Sequence, residues 1–340
     1  MTYETPTLSP PAARRVRDRF GRTFGYLRIS VTDRCNLRCE YCSPNGTCPS
    51  LVPEPLSWDD LYWLAEVAVE RLGVEALRIT GGEPTVRPGL VEWIERLGAL
   101  KGLRDIAMTS NGVRLDRMAE PLARAGVRRV NISVDSLRPE RFRAITRGGD
   151  LGRVLAGIAE AKRQFRQVKL NAVALRDRNT DELAEFAAFS DRENVEVRFI
   201  EPMPLGDEKD YWRDVFVSAE ELRRRMREQG LRLVPLGETT GFGPAETYRV
   251  EGTRARIGFI SQMSCTKCAG CNKLRMTSDG TLRPCLLSAE EIPLLDIIGR
   301  RDEEALAAVL SGAFLARPKE YRLEEAVKES LGRSMQCIGG

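Results

Sequence analysis

Six short β-rich stretches recur between residues 27 and 203, with helical stretches between them. The strands read LRISVTD (27–33), ALRITGG (76–82), DIAMTSN (105–111), RVNISVD (129–135), VKLNAVAL (168–175) and EVRFIEPM (196–203). The intervening segments SWDDLYWLAEVAVERLG, PGLVEWIERLGAL, LDRMAEPLARAG, LGRVLAGIAEAKRQ and TDELAEFAAFS place apolar residues at helical spacing. Alternating strand and helix predicts parallel strands joined by crossovers. Six such units fall short of the eight that close a barrel. The expected fold is α/β, an open partial (β/α)6 TIM-type barrel.

Side chains two apart on a strand share a face. One parity is apolar: Leu27, Ile29, Val31; Leu77, Ile79; Val130, Ile132, Val134; Val168, Leu170; Val197, Phe199. These should pack under the helices. The other parity carries Arg28, Ser30, Thr32; Arg78, Thr80, Gly82; Thr109, Asn111; Asn131, Ser133, Asp135; Lys169, Asn171; and Arg198. A closed barrel fills its interior with branched apolar residues. Edge strands facing water explain one or two polar faces, but not six in succession. The pattern predicts a wide polar chamber for a charged, hydrogen-bonding ligand.

The pattern changes after about residue 205. SAEELRRRMREQG reads as a helix and TYRVEGTRARIGFIS as a hairpin, followed by amphipathic helices around 301–316 and 322–331. The expected organisation is a flexible arm over 1–17, the partial barrel over 18–235, and a C-terminal α+β extension over 236–340. No apolar run reaches membrane-spanning length, and the start does not read as a secretory signal. A cytoplasmic enzyme is expected. The net charge of +4 is too small to argue for a nucleic-acid binder. It suits an anionic small molecule if the arginines cluster. Nine cysteines and no histidine favour a thiolate-built site, either iron–sulfur or all-cysteine zinc.

CNLRCEYC places Cys35, Cys39 and Cys42 directly after the first strand, where barrel enzymes do their chemistry. One short loop can wrap three thiolates around a cubane cluster and leave one iron open. A zinc knuckle with a distant ligand, or incidental thiols, are the plainer alternatives. With LRIS before it and TGGEP ending the second strand, this loop resembles the radical S-adenosylmethionine superfamily. The resemblance implies that the open iron chelates S-adenosylmethionine, which an electron from the reduced cluster cleaves to methionine and a 5′-deoxyadenosyl radical. It also places Tyr41, Gly81, Gly82, Glu83, Thr109, Ser133 and Met203 on the S-adenosylmethionine side. Gly81 and Gly82 would let backbone groups approach the ligand, with Glu83 and Pro84 shaping the turn.

A second group follows in SCTKCAGCNKLRMTSDGTLRPCL. Together with RVNISVDSL, VKLNAVAL, VRFIEPMP and a terminal IGG, it resembles the GTP 3′,8-cyclase family of molybdenum cofactor biosynthesis from about residue 18 onward. The resemblance implies a second [4Fe-4S] cluster on Cys268, Cys271 and Cys285 in the C-terminal extension, its free iron binding guanine. Cys265 is an extra thiol that could close that cluster. Substrate contacts fall on Arg28, Arg78, Lys169, Arg198, Lys273 and Arg275, with Arg28, Lys273, Arg275, Gly339 and Gly340 needed for turnover. No P-loop occurs, so the triphosphate would rest on clustered cations. Abstraction of the 3′ hydrogen of GTP and attack on C8 would give 3′,8-cyclo-7,8-dihydro-GTP. A downstream cyclic pyranopterin monophosphate synthase would consume it, an electron donor would reduce the clusters, and a homodimer is compatible. No nucleic-acid or membrane partner is expected.

Two positions depart from the family pattern. Ala76 stands where lysine is common and Lys273 where arginine is usual. They leave room for weaker GTP binding or a paralogue with another substrate, such as a peptide. Two other classes fit parts of the pattern: a cluster-bearing redox sensor or electron carrier, and a zinc-stabilised nucleic-acid module. The former gives no reason for GGEP or the polar strand faces.

Overall fold

The computed structural model describes residues 15–42, 54–204, 209–237, 243, 245–264, 268–320 and 333–339. The six expected strands are present: β1 (Tyr26–Ser30), β2 (Ala76–Thr80), β3 (Asp105–Ser110), β4 (Val127–Ser133), β5 (Gln167–Val173) and β6 (Glu196–Ile200). Their crossovers carry α1 (Trp58–Glu70), α2 (Leu90–Leu97), α3 (Leu115–Arg124), α4 (Pro139–Thr146), α5 (Leu151–Gln164) and α6 (Leu183–Glu193). After them come α7 (Lys209–Val215), α8 (Ala219–Glu228), β7 (Leu233–Pro235), β8 (Glu246–Val250) and β9 (Arg256–Ile260). The chain continues with β10 (Lys273–Met276), β11 (Thr281–Arg283), β12 (Ile292–Pro293), α9 (Leu295–Arg300), α10 (Glu303–Leu315) and α11 (Met335–Ile338). Expected features in the 1–14 arm, in the 322–331 helix and at Cys265 and Gly340 lie outside the described residues.

All strands join one 12-stranded sheet in the order β12-β11-β10-β1-β2-β3-β4-β5-β6-β9-β8-β7. The run from β10 to β9 is parallel throughout, and antiparallel strands flank it at each end. The expected 247–261 hairpin is β8–β9, and its second strand extends the barrel by pairing with β6. β10 was not anticipated. It returns from the second cysteine group to pair with β1, register Arg28↔Arg275. The sheet is open, as expected. Among the described residues no helix is long and apolar enough to cross a membrane.

The apolar parity is buried as its periodicity requires. Leu27, Ile29, Leu77, Ile79, Val130, Ile132, Leu170 and Val197 are fully enclosed and pack with helix residues such as Leu61, Trp93, Leu122, Val154 and Phe186. Burying each such side chain contributes about 1.5–3 kcal/mol. Helix starts follow local chemistry. Ser57 and Asp60 form a reciprocal capping box on α1, and Asp150 caps α5 through Gly152 N. The sequence reading missed α4, although Pro139 at its start and buried Phe142 and Ile145 fit a short helix.

Candidate active site

The first cysteine loop is held by three elements that converge on it. The last carbonyls of α4, orphaned like those of any helix end, accept from its backbone: Arg38 N to Thr146 O at 3.2 Å and Glu40 N to Ile145 O at 2.9 Å. Tyr41 Oη donates to Asp135 Oδ2 at 2.8 Å, while Asp135 Oδ1 accepts from Val173 N on β5. Asn111 Nδ2 donates to Asn36 Oδ1 at 2.7 Å and to Cys35 Sγ at 3.8 Å. Burial pushes the Cys35, Cys39 and Cys42 thiols up, and at Cys39 and Cys42 the neighbouring thiols and Asp135 add to the rise. A bare thiolate is disfavoured here, so bound metal is what would stabilise the ionised form.

The Gly-Gly turn after β2 has a structural reason as well as the one expected from the sequence. A Cβ on Gly81 would lie 2.5 Å from Thr32 O, and one on Gly82 would lie 2.5 Å from Arg34 O. The absent side chains let the cysteine loop lie on the turn, where Gly82 N donates to Thr32 O and Glu83 N to Arg34 O. The Glu83 carboxylate is fully enclosed. It accepts from Thr85 N and Oγ1, Ser110 Oγ and Asn111 N. Glu83 therefore ties the β2 and β3 exits together.

The polar parity lines the sheet's inner face. Arg275, Arg28 and Arg78 stand in register across β10, β1 and β2, and adjacent strands lie about 4.8 Å apart. Arg78 is buried and donates through Nε to Tyr26 Oη at 2.6 Å and through Nη1 to Thr109 Oγ1 at 3.3 Å. Lys273 Nζ lies 5.7 Å from the Tyr26 ring centroid. Burial and the arginine row pull its ammonium down to about 7, against the opposing pull of Cys271. Burial brings Arg275 to about 10, although Cys285 and Cys271 favour its charge. Such a row of cations suits a polyanion. Ala76 is buried in register between Tyr26 and Asp105. Ser133 is in register with Asn171.

Lys169 and Arg198 share a partner that the sequence reading overlooked. Glu196 lies on their face of the sheet, with Lys169 Nζ 2.9 Å from its Oε2 and Arg198 Nε bound to its Oε1. Burial alone would raise the Glu196 carboxyl, but Arg198 and Lys169 outweigh it and hold the group below its usual range. The signal was available, since Glu196 precedes Arg198 by two. Its charge opposes an incoming anion. Glu196→Gln is expected to tighten binding of inorganic triphosphate roughly tenfold at low salt, because a unit charge ~10 Å away contributes on the order of 1–2 kcal/mol at an effective dielectric near 20. Calorimetric titration checks it, and unchanged or weaker binding would make Glu196 a holder of the cations instead.

The second cysteine group borders the same inner face. Cys271 N donates to Cys268 O at 3.1 Å, and Leu287 N donates to Cys285 Sγ at 3.4 Å. Met203 packs against Ile338 of the tail, as Met335 does, and against the buried pair Met263 and Leu287, which Cys285 also touches. Gly339 lies against the side chains of Ser30 and Thr80 at the ends of β1 and β2. A Cβ there would lie 2.8 Å from Thr80 Cγ2 and 3.0 Å from Ser30 Cβ, and its carbonyl accepts from Arg275 Nη1 at 3.2 Å. Its φ of 77° also favours glycine.

Among the described residues, no three His, Cys, Asp or Glu side chains close on a single ion, as a mononuclear zinc site requires. A polynuclear cluster instead binds each thiolate to a separate iron. Two all-thiol trios fit that donor set. At the second trio a buried donor, Arg317 Nε, has no partner among the described residues.

An open parallel sheet with a cysteine trio at the β1 exit and a Gly-Gly turn at the β2 exit defines a radical S-adenosylmethionine protein. The model of the Radical SAM superfamily matches residues 29–190, so S-adenosylmethionine and an iron–sulfur cluster are the cofactors of this fold. A second model, Molybdenum Cofactor Synthesis C, matches residues 195–323. A GTP 3′,8-cyclase of Alkaliphilus oremlandii is 43% identical over 327 residues, covering 96% of this chain and 100% of the relative. The GTP 3′,8-cyclase of Thermodesulfovibrio yellowstonii is 42% identical, with 96% and 100% covered. That of Pseudomonas entomophila is 42% identical, with 95% and 97% covered. The chain belongs to the GTP 3′,8-cyclase family. A solved structure of native anSMEcpe with bound AdoMet and Kp18Cys peptide shares the fold at a TM-score of 0.50 and 17% identity, over 76% of this chain and 74% of that one.

Proposed function

We propose that this chain converts GTP to 3′,8-cyclo-7,8-dihydro-GTP, the opening reaction of molybdenum cofactor biosynthesis. The observation that carries the reading is the Arg275–Arg28–Arg78 row, set across neighbouring strands beside the second cysteine group and the tail. When bound, a reduced cluster and S-adenosylmethionine supply one-electron hydrogen-abstracting chemistry. Cys35, Cys39 and Cys42 hold the first cluster, and the Gly81–Glu83 turn, Tyr41, Thr109, Ser133 and Met203 shape the S-adenosylmethionine side.

The arginine row, with Lys169 and Arg198, grips the triphosphate through charge-assisted contacts. Cys268, Cys271 and Cys285 would hold a second [4Fe-4S] cluster, which would supply a coordination site for the guanine base. Held at both ends, the nucleotide presents its ribose 3′ carbon and guanine C8 in one geometry, which lowers the entropic cost of closing the ring. The tail and the enclosed strands keep bulk water from the chamber, which strengthens the charge contacts that hold the nucleotide. A reductant protein, a downstream cyclic pyranopterin monophosphate synthase and a cytoplasmic setting complete the reading.

Incubating the reduced, reconstituted chain with S-adenosylmethionine and 3′-deuterated GTP tests it. Deuterium should appear in 5′-deoxyadenosine. Cleavage of S-adenosylmethionine without deuterium transfer would point to another substrate.

A further inference from the structure

Arg317 lies just beyond α10, distant in sequence from both cysteine groups, and no motif singles it out. It is only 4% exposed. Its guanidinium reaches back to the second cysteine loop. Nη1 donates to Lys273 O at 2.7 Å and to Cys271 Sγ at 3.5 Å, and Nη2 donates to Cys271 O. The cation stacks 4.4 Å from the Phe314 ring centroid, which fixes its plane. Behind it, Arg22 donates to Arg317 O and to Cys268 O, both at 3.3 Å, while its own charge is paired with buried Asp18. Arg22 therefore fastens backbone, whereas Arg317, with no carboxylate partner among the described residues, brings its charge and an N–H donor to a ligand sulfur. Its remaining Nε donor is buried without a partner among the described residues.

Hydrogen bonds to the sulfurs of an iron–sulfur cluster, and its electrostatic surroundings, set its reduction potential. Reduction adds negative charge, so a nearby cation favours the reduced state. We propose that Arg317 is a positioning residue for the second cluster, fixing the Cys271 corner and raising that cluster's reduction potential through its N–H···S contact. The proposal rests on reading Cys268, Cys271 and Cys285 as cluster ligands. Lysine would keep the charge but lose the planar fork that reaches the sulfur and two carbonyls together.

The test compares wild type, Arg317→Met and Arg317→Lys, each reconstituted anaerobically as the full chain. Iron and sulfide are counted, and the clusters are titrated with dithionite while electron paramagnetic resonance is recorded. A Cys268→Ala chain assigns which step belongs to the second cluster. The second-cluster midpoint should fall in Arg317→Met and fall less in Arg317→Lys, with the first cluster unmoved. A midpoint in a loaded Arg317→Met equal to that of wild type overturns the proposal. If Arg317→Met holds only one cluster, Arg317→Lys decides: a lowered second midpoint supports the proposal and an unchanged one overturns it. A wild-type chain with iron for a single cluster would overturn the cluster reading itself, a result visible before any variant is compared.

Discussion

Replacing Arg275 with methionine weakens GTP binding by roughly 10- to 100-fold, the effect of losing one charge-assisted hydrogen bond of about 1.5–3 kcal/mol. Binding of S-adenosylmethionine should be unchanged. Arg275 sits at the β10 end of the cation row and also donates to Gly339 O. On the proposed reading the substitution removes a phosphate contact, and it also removes a hydrogen bond that holds the tail. Arg275→Lys should recover little, because a single ammonium cannot serve a phosphate oxygen and the tail carbonyl with the geometry of a fork. Equilibrium dialysis with each ligand measures the two affinities, and limited proteolysis reports the tail. Equal loss of both ligands would show that Arg275 supports the whole chamber and not the nucleotide end.

Glu201→Ala is expected to destabilise the fold by about 3 kcal/mol or more and to empty the second cysteine site while the first stays loaded. Glu201 is 1% exposed at the carboxyl end of β6. Its carboxylate accepts from Ala219 N at the start of α8, from Met263 N and Ser264 N, and from Ser264 Oγ. Alanine would leave three backbone donors without their carboxylate acceptor, at about 1–3 kcal/mol each where they stay buried. The turn they form leads directly into the second cysteine group. Urea unfolding measures the stability, and iron counting measures the loading. A destabilised chain that still binds iron for two clusters would separate the turn from the site.

Much of the barrel was legible because its signals are local. The period-two pattern named all six strands and both of their faces. Arg28, Arg78, Lys169 and Arg198 were placed on one inner face by parity alone, and the cysteine spacings identified both thiol groups. Other features left weaker local signals. α4, which anchors the first cysteine loop, is only 8 residues long, too short for a periodic pattern to stand out. β10 spans 4 residues, and its pairing with β1 depends on no neighbour in sequence. Glu196 was readable from its parity and went unused. Arg22, Glu201 and Arg317 gave no sign, since each acts on a loop far away along the chain.

The sequence by itself determined the alternation of elements, the division of each strand into an apolar and a polar face, and the two groups of closely spaced cysteines. Those properties follow from side-chain chemistry at fixed spacing, which needs only the strand and helix periods to be read. The tertiary structure alone decided that the C-terminal segment returns beside β1, putting Arg275 next to Arg28 and Gly339 against Ser30 and Thr80. It also decided which buried charges meet, as with Glu196 between Lys169 and Arg198 and Arg317 against Cys271. Such contacts depend on the closing of long loops, whose entropic cost is met by the whole core and leaves no mark on the residues that come together.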